Sequence, residues 1–181
     1  MNFCSNCGAR VNPRIPQGDD RIRHVCSSCG QIHYQNPKLV VGVVPEWQER
    51  ILLCRRAIAP REGLWTLPAG YLENGETAAD GARRETWEEA RARVQGLTPY
   101  ALFDLTFVNQ LYLMYRGSMV SDACKPGAES MEVGLFSETE IPWDQIAFLV
   151  IAETLQRYFK DRTHGAFAFQ TGRIQPVTQG G

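Results

Sequence analysis

A chain of 181 residues with 44% hydrophobic content can bury one ordinary core and leave about 35 residues for a small appendage. Its 19 basic and 20 acidic residues give a formal net charge of −1, which excludes a global field for nucleic acid or an acidic membrane surface. The start, MNFCSNCGARVNP, carries no basic-then-apolar leader, and no stretch reaches about 18 uninterrupted apolar residues, so a soluble cytoplasmic protein without a membrane partner is expected.

Residues 1–35 are rich in Cys, Gly, Asn, Pro and charge, and hold too few large apolar residues for a core of their own. Cys4 and Cys7, then Cys26 and Cys29, form two C-x2-C knuckles 18 residues apart, each followed by a glycine. Two such knuckles complete a tetrahedral all-sulfur site with no open position, which predicts a structural Zn2+. The alternative is a redox thiol pair in each motif, but redox motifs usually come singly. His24 and His33 read as surface histidines, Cys54 as a core thiol and Cys124 as a surface thiol.

From Lys38 the character changes. An apolar β-branched run over 38–44, a polar 46–49 and a second apolar run over 50–56 read as a hairpin. Arg55 and Arg56 end its second strand and are candidates for pairing with phosphate. Further strands are predicted over 100–107 and 110–115, and an amphipathic helix over 148–159. Strands interleaved with helices indicate an α/β sandwich. Beyond Lys160 periodicity fades, and the tail is expected to wrap over the surface or be partly disordered. The predicted organisation is therefore 1–35, 36–160 and a tail over 161–181.

The most informative segment is GYLENGETAADGARRETWEEARA, residues 70–92. Thr77 followed three residues later by Asp80 starts a helix near Ala78 that runs to about Arg91. On it Glu85, Glu88 and Glu89 share one face, a cluster of hard oxygen ligands suited to Mg2+ or Mn2+. A solvated acidic face paired with Arg83, Arg84, Arg91 and Arg93 is the other reading.

The segment matches the Nudix box, G-x5-E-x7-R-E-U-x-E-E-x-G-U, at Gly70, Glu76, Arg84, Glu85, Glu88 and Glu89, and the chain thus resembles Nudix hydrolases. Thr86 at the first aliphatic position and Arg91 at the last glycine depart from it. The resemblance implies a mixed sheet between helices, an α/β/α sandwich. It also implies that Glu85, Glu88, Glu89 and the Gly70 carbonyl ligate catalytic divalent ions, with Arg84 and Glu76 paired behind them. Those ions neutralise a diphosphate and activate the attacking water. Glu129 is the favoured general base and Glu132 the other candidate.

HYQNPK, GLWTLPAGYLE, RETWEEA and PGAESME, occurring together behind a four-cysteine ribbon, resemble the zinc-ribbon Nudix subgroup that includes plastid FAD pyrophosphatases of plants. The implied substrate is FAD, cut to AMP and FMN, or ADP-ribose. NADH is less favoured, because the SQPWPFPxS sequence of NADH pyrophosphatases has no counterpart after the box. Trp65, Tyr71, Phe103 and Tyr112 are the candidate stacking aromatics. A non-catalytic nucleotide-binding module is the competing class. Its nucleic-acid form is disfavoured by the weak basic character of the ribbon. The resemblance also carries the expectation of a homodimer.

Overall fold

The computed structural model describes residues 1–176, so residues 177–181 of the tail lie outside the described residues. The chain forms two compact units, Met1–Pro37 and the remainder from Lys38. In the first, β1 (Val11–Arg14), β2 (Arg23–Cys26) and β3 (Ile32–His33) make an antiparallel three-stranded sheet. Its apolar cluster is Cys4, Val11 and Cys26, with Ala9 packed against them, and Val25 is the other buried aliphatic residue. So small an interior cannot offset the entropy of ordering this segment.

The second unit opens with β4 (Lys38–Trp47) and β5 (Arg50–Arg56). The polar stretch predicted over 46–49 tightens to a two-residue turn, with Gln48 and Glu49 at φ of 47° and 66°. The strands alternate as a sheet buried on both faces must. Val41, Val43, Leu52 and Cys54 enter one core, and Val44, Ile51 and Leu53 enter the other. Short strands β6 (Trp65–Thr66) and β7 (Ala69–Tyr71) pair with β5 and β4.

Helix α1 (Ala78–Ala90) follows, its Thr77 hydroxyl accepting a 3.2 Å hydrogen bond from the Asp80 amide. Then come β8 (Val94–Leu105), β9 (Gln110–Met119), β10 (Ser130–Phe136), α2 (Leu149–His164) and β11 (Gln170–Arg173). The strand order is β10-β5-β4-β9-β8-β11, with β4 parallel to β9, β11 parallel to β8 and the other neighbours antiparallel. Ala82 and Ala90 of α1 pack into one core, and Val150, Ile151, Leu155 and Tyr158 of α2 into the other, which gives the expected α/β/α sandwich with a mixed sheet. No helix among the described residues is long and apolar enough to cross a membrane.

Three boundaries differ from the sequence reading. Strand β8 begins at Val94 rather than near Tyr100, because Gly96 and Pro99 sit at register shifts within a strand and not in a loop. Helix α2 continues to His164, since its last turn is polar and held by caps rather than by burial. Within the described part of the tail, Asp161 Oδ2 accepts from the Tyr100 hydroxyl and from Gln170 Nε2, both at 2.9 Å, and 170–173 adds a parallel edge strand.

Arg91 ends α1 at φ 52°, its amide donating to the Trp87 carbonyl at 2.9 Å. The left-handed cap that the box glycine supplies is thus formed by an arginine, against a conformational cost of about 1 kcal/mol. Arg91→Gly is expected to raise stability by up to about 1 kcal/mol, less the entropy glycine adds to the unfolded chain, while Arg91→Ala gives no gain. Denaturant titration of the two variants checks this. Thr86 is fully buried in the aliphatic position of the box, with its hydroxyl donating to the Ala82 carbonyl at 2.8 Å, so the departure leaves no orphaned polar atom.

Candidate active site and metal centres

Strand β7 pairs with β4 at Val41↔Gly70, which fixes the start of the box against the sheet, and α1 packs on the same strand. Arg84 is the hub between them. Its Nε and Nη2 grip Glu76 at 3.1 and 2.8 Å, and Nη1 donates to Glu85 Oε1 at 2.7 Å and to Glu88 Oε2 at 3.0 Å. Nη2 also reaches the Tyr71 carbonyl at 3.0 Å, and the Glu73 amide donates to Glu76 at 2.8 Å. The guanidinium holds Glu76 ionised, its carboxyl drawn down to about 2. One cation therefore ties the glycine turn and two of the three helical glutamates into a single framework.

Glu85 lies so close to the backbone of Gly70 that a Cβ there would fall 2.3 Å from its carboxylate, so only glycine permits this approach. Glu89 is the buried member, 7% exposed, and its Oε2 has no hydrogen-bond partner among the described residues. Burial, with the nearby Glu85 charge, pushes its carboxyl up to about 8, and burial raises Glu85 too. That burial favours the protonated form of Glu89; a bound cation would favour the ionised form and satisfy the orphaned oxygen.

The charge of Glu129 acts on both Glu85 and Glu89, whereas Glu132 pairs with Arg55 at 3.3 Å across β10 and β5. The loop that carries Glu129 is fitted to the end of α1. The Lys125 and Gly127 amides donate to the Ala90 and Glu89 carbonyls at 2.8 and 2.9 Å, and a Cβ on Gly127 would meet the Glu88 carbonyl oxygen at 1.6 Å. The carboxylates fit a hard divalent cation by chemistry and by the orphaned Glu89 oxygen. Their oxygens do not converge as the cysteine sulfurs do, because Arg84 occupies the space between Glu85 and Glu88.

Gly70 and Tyr71 also border a cavity of about 820 Å3, ample for a nucleoside-sized ligand, whose other walls include Arg56, Gln110, Tyr112 and Phe148. Among the described residues no carboxylate lines it. Tyr71 is 45% exposed and braced: Gln110 Nε2 donates to its hydroxyl at 2.9 Å, and Lys38 Nζ sits 4.7 Å from its ring centroid. Sequence reasoning missed Gln110, which opens a strand with no local signal of a polar contact.

The other stacking candidates divide. Tyr112 lines the cavity, but Trp65 and Phe103 do not. Phe103 is fully buried, and Trp65, 7% exposed, packs edge-on against Phe136 at 4.9 Å, so neither offers a free face to a base. The alternation of Ala101, Phe103 and Leu105 into one core carried that signal.

Neither arginine of β5 is free. Besides Glu132, Arg55 donates from Nε to the Gly63 carbonyl at 2.8 Å. Arg56 donates to the Pro60 and Ile58 carbonyls at 2.8 and 3.4 Å and lies over the Phe148 ring.

In the N-terminal unit the Sγ atoms of Cys7 and Cys26, Cys7 and Cys29, and Cys4 and Cys29 are 3.4, 3.6 and 3.8 Å apart. Four sulfurs about 2.3 Å from a tetrahedral Zn2+ stand about 3.8 Å from one another, so the cluster fits that ion. Gly8 and Gly30, both at φ 73°, turn the chain beneath the sulfurs, and the Cys29 and Ser28 amides pull the Cys26 thiol below its ordinary value. His33 is half-buried, with Nε2 3.3 Å from Cys4 Sγ, and so is not the plain surface residue expected.

The sequence profile of the NUDIX domain matches residues 36–153, and a zinc-ribbon profile described as Nudix N-terminal matches residues 2–35. The chain belongs to the Nudix hydrolase family, enzymes that act on pyrophosphate bonds and use divalent metals. It is similar to a solved NUDIX hydrolase from Nitrosomonas europaea, with 51% identity, TM-score 0.94, and coverage of 97% of this chain and 100% of that one. The NAD-capped RNA hydrolase NudC of Chromobacterium violaceum is 30% identical over 162 residues, 88% of this chain and 58% of that protein. Nudix hydrolase 19, chloroplastic, of Arabidopsis thaliana is 33% identical over 97 residues, 51% of this chain and 21% of that protein. The chain thus spans less than two thirds of the length of either curated relative.

Proposed function

We propose that this chain hydrolyses the diphosphate bond of a nucleoside diphosphate derivative, with FAD or ADP-ribose as the favoured substrates. The observation that carries this reading is the framework in which Arg84 ties Glu85 and Glu88 on the helix that also carries the buried, unsatisfied Glu89, beside a cavity that Gly70 and Tyr71 border. In this reading Glu85, Glu88, Glu89 and the Gly70 carbonyl hold Mg2+ or Mn2+, and Arg84, fixed by Glu76, keeps the carboxylates in place. Cys4, Cys7, Cys26 and Cys29 hold structural Zn2+. The catalytic cation supplies charge that neutralises the diphosphate and makes a water molecule acidic enough to attack phosphorus.

Glu129 takes the proton of that water as the new O–P bond forms, the bridging P–O bond breaks, and its electron pair leaves with the other phosphate. Tyr71 and Tyr112 stack the base in the cavity.

The test is a product assay with purified protein and Mg2+ or Mn2+ against FAD, ADP-ribose, NADH and a deoxynucleoside triphosphate, resolved by liquid chromatography. Fastest release of AMP and FMN from FAD, or of AMP from ADP-ribose, is expected. No turnover of any of them would overturn the enzymatic reading and favour a nucleotide-binding module. A second reading, a nicotinamide dinucleotide or an RNA end capped with one, is favoured by the name of the Chromobacterium relative. Fastest cleavage of NADH would select it. A homodimer is also proposed from the family resemblance, and light scattering of the purified chain checks it.

A further inference from the structure

The segment joining β5 to β6 forms one wall of the cavity and is braced at every turn. The Arg56 amide donates to the Leu64 carbonyl and the Gly63 amide to the Arg56 carbonyl, both at 2.9 Å. The Ala57 amide donates to the Glu129 carbonyl at 2.8 Å. From within, the Arg56 side chain binds the Pro60 and Ile58 carbonyls. On this rigid segment Arg61 sits at φ 64°, in the left-handed region that favours glycine.

Arg61 also lines the cavity, and its guanidinium takes no hydrogen bond, ion pair or ring contact among the described residues. The other left-handed residues have local reasons. Gln48 and Glu49 form the β4–β5 turn, Asn109 lies in the turn between β8 and β9, and Arg91 caps α1. Arg61 opens a turn of its own, its carbonyl accepting from the Leu64 amide at 3.3 Å, so the left-handed backbone is held by the loop and the side chain is left to the cavity. An arginine held on a braced turn, with a fork of donors unengaged among the described residues and displayed at the wall of the cavity that Gly70 also lines, is an arrangement suited to receive a phosphoryl group.

We propose that Arg61 is a substrate-binding residue, its guanidinium pairing with phosphoryl oxygens of the bound diphosphate from the cavity side. This is the task the sequence suggested for Arg55 and Arg56, each of which has part of its guanidinium engaged by protein acceptors, whereas that of Arg61 is not engaged among the described residues. The inference rests on the function proposed above, for which the diphosphate must lie between the glutamates and the cavity.

The experiment compares wild type, Arg61→Gly and Arg61→Lys in steady-state kinetics with Mg2+ and ADP-ribose, in thermal unfolding, and in thermal shift with ADP and Mg2+ as a binding probe. Glycine should relieve the backbone strain and raise Tm while KM rises about tenfold or more and kcat stays within about threefold; lysine should recover part of KM through charge without the fork. A residue of purely structural importance would not move stability and KM in opposite directions. Wild-type KM in Arg61→Gly overturns the proposal. If the wild type binds ADP without turning over any diphosphate, the enzymatic reading fails, and loss of ADP binding in Arg61→Gly still supports the site. If the wild type neither binds ADP nor turns over substrate, both fail.

Discussion

Glu88→Gln should lower turnover by at least about a hundredfold and leave thermal unfolding unchanged. The two halves of that expectation come from different features of the same residue. The Glu88 side chain is 53% exposed on α1, and its one hydrogen-bonding partner among the described residues is Arg84 Nη1, which keeps Glu85 at 2.7 Å when Glu88 is neutralised. No core contact is lost, and Arg84 retains its two-pronged grip on Glu76. The charge, in contrast, belongs to the set proposed to hold the catalytic cation, and glutamine has a similar shape without it. Mg2+ titration of kcat in the variant, alongside its melting curve, separates the effects. Near-normal turnover at saturating Mg2+ would remove Glu88 from the site, and a large drop in Tm would assign it a structural role instead.

Much of this framework could be read from the chain because its signals are local. The i, i+3, i+4 spacing of Glu85, Glu88 and Glu89 fixes their common face on any helix, and Thr77 with Asp80 fixes where that helix starts. The alternation in 38–44 and 50–56 fixes two strands buried on both faces. What the chain hid was long-range. Nothing near Arg55 announces that Glu132, 77 positions away, will meet it across β10, or that Arg56 will turn back onto its own loop.

Gly96 and Pro99 read as strand breakers when taken one by one, yet β8 absorbs them at register shifts because β9 supplies the pairing. The last turn of α2 offers no apolar stripe, so periodicity stops at Phe159 although the helix does not. Arg91 shows the opposite case. Arg91 stands where the box has glycine, yet the helix still ends in a left-handed cap, with the loop that carries Lys125 and Gly127 packed onto the end of α1.

Removal of zinc is expected to unfold residues 1–37 and to leave the unit from Lys38 intact. Among the buried apolar residues of the N-terminal unit two are the cysteines Cys4 and Cys26, so Val11 and Val25 are the buried aliphatic side chains left to hold it. Burying such a side chain contributes about 1.5–3 kcal/mol, and the two together fall far below the cost of ordering even the strands, at about 1–2 kcal/mol per residue. A tetrahedral thiolate site contributes on the order of 10 kcal/mol at neutral pH, which is the term able to close that gap. The sheet of the second unit has two cores of its own and needs no such help.

Metal analysis of the purified chain should find one zinc per chain. Limited proteolysis after treatment with a strong chelator should then cleave within 1–37 while a fragment beginning near Lys38 survives, and Cys26→Ser should show the same cleavage without chelator. The Asp19–Arg23 pair, at 2.8 Å, and the contact of His33 with Cys4 cannot substitute for the metal, since both are made by groups that water solvates well once the strands part. Protection of 1–37 in metal-free protein would mean that contacts outside this small cluster hold the unit together, and the zinc would then be dispensable for its fold.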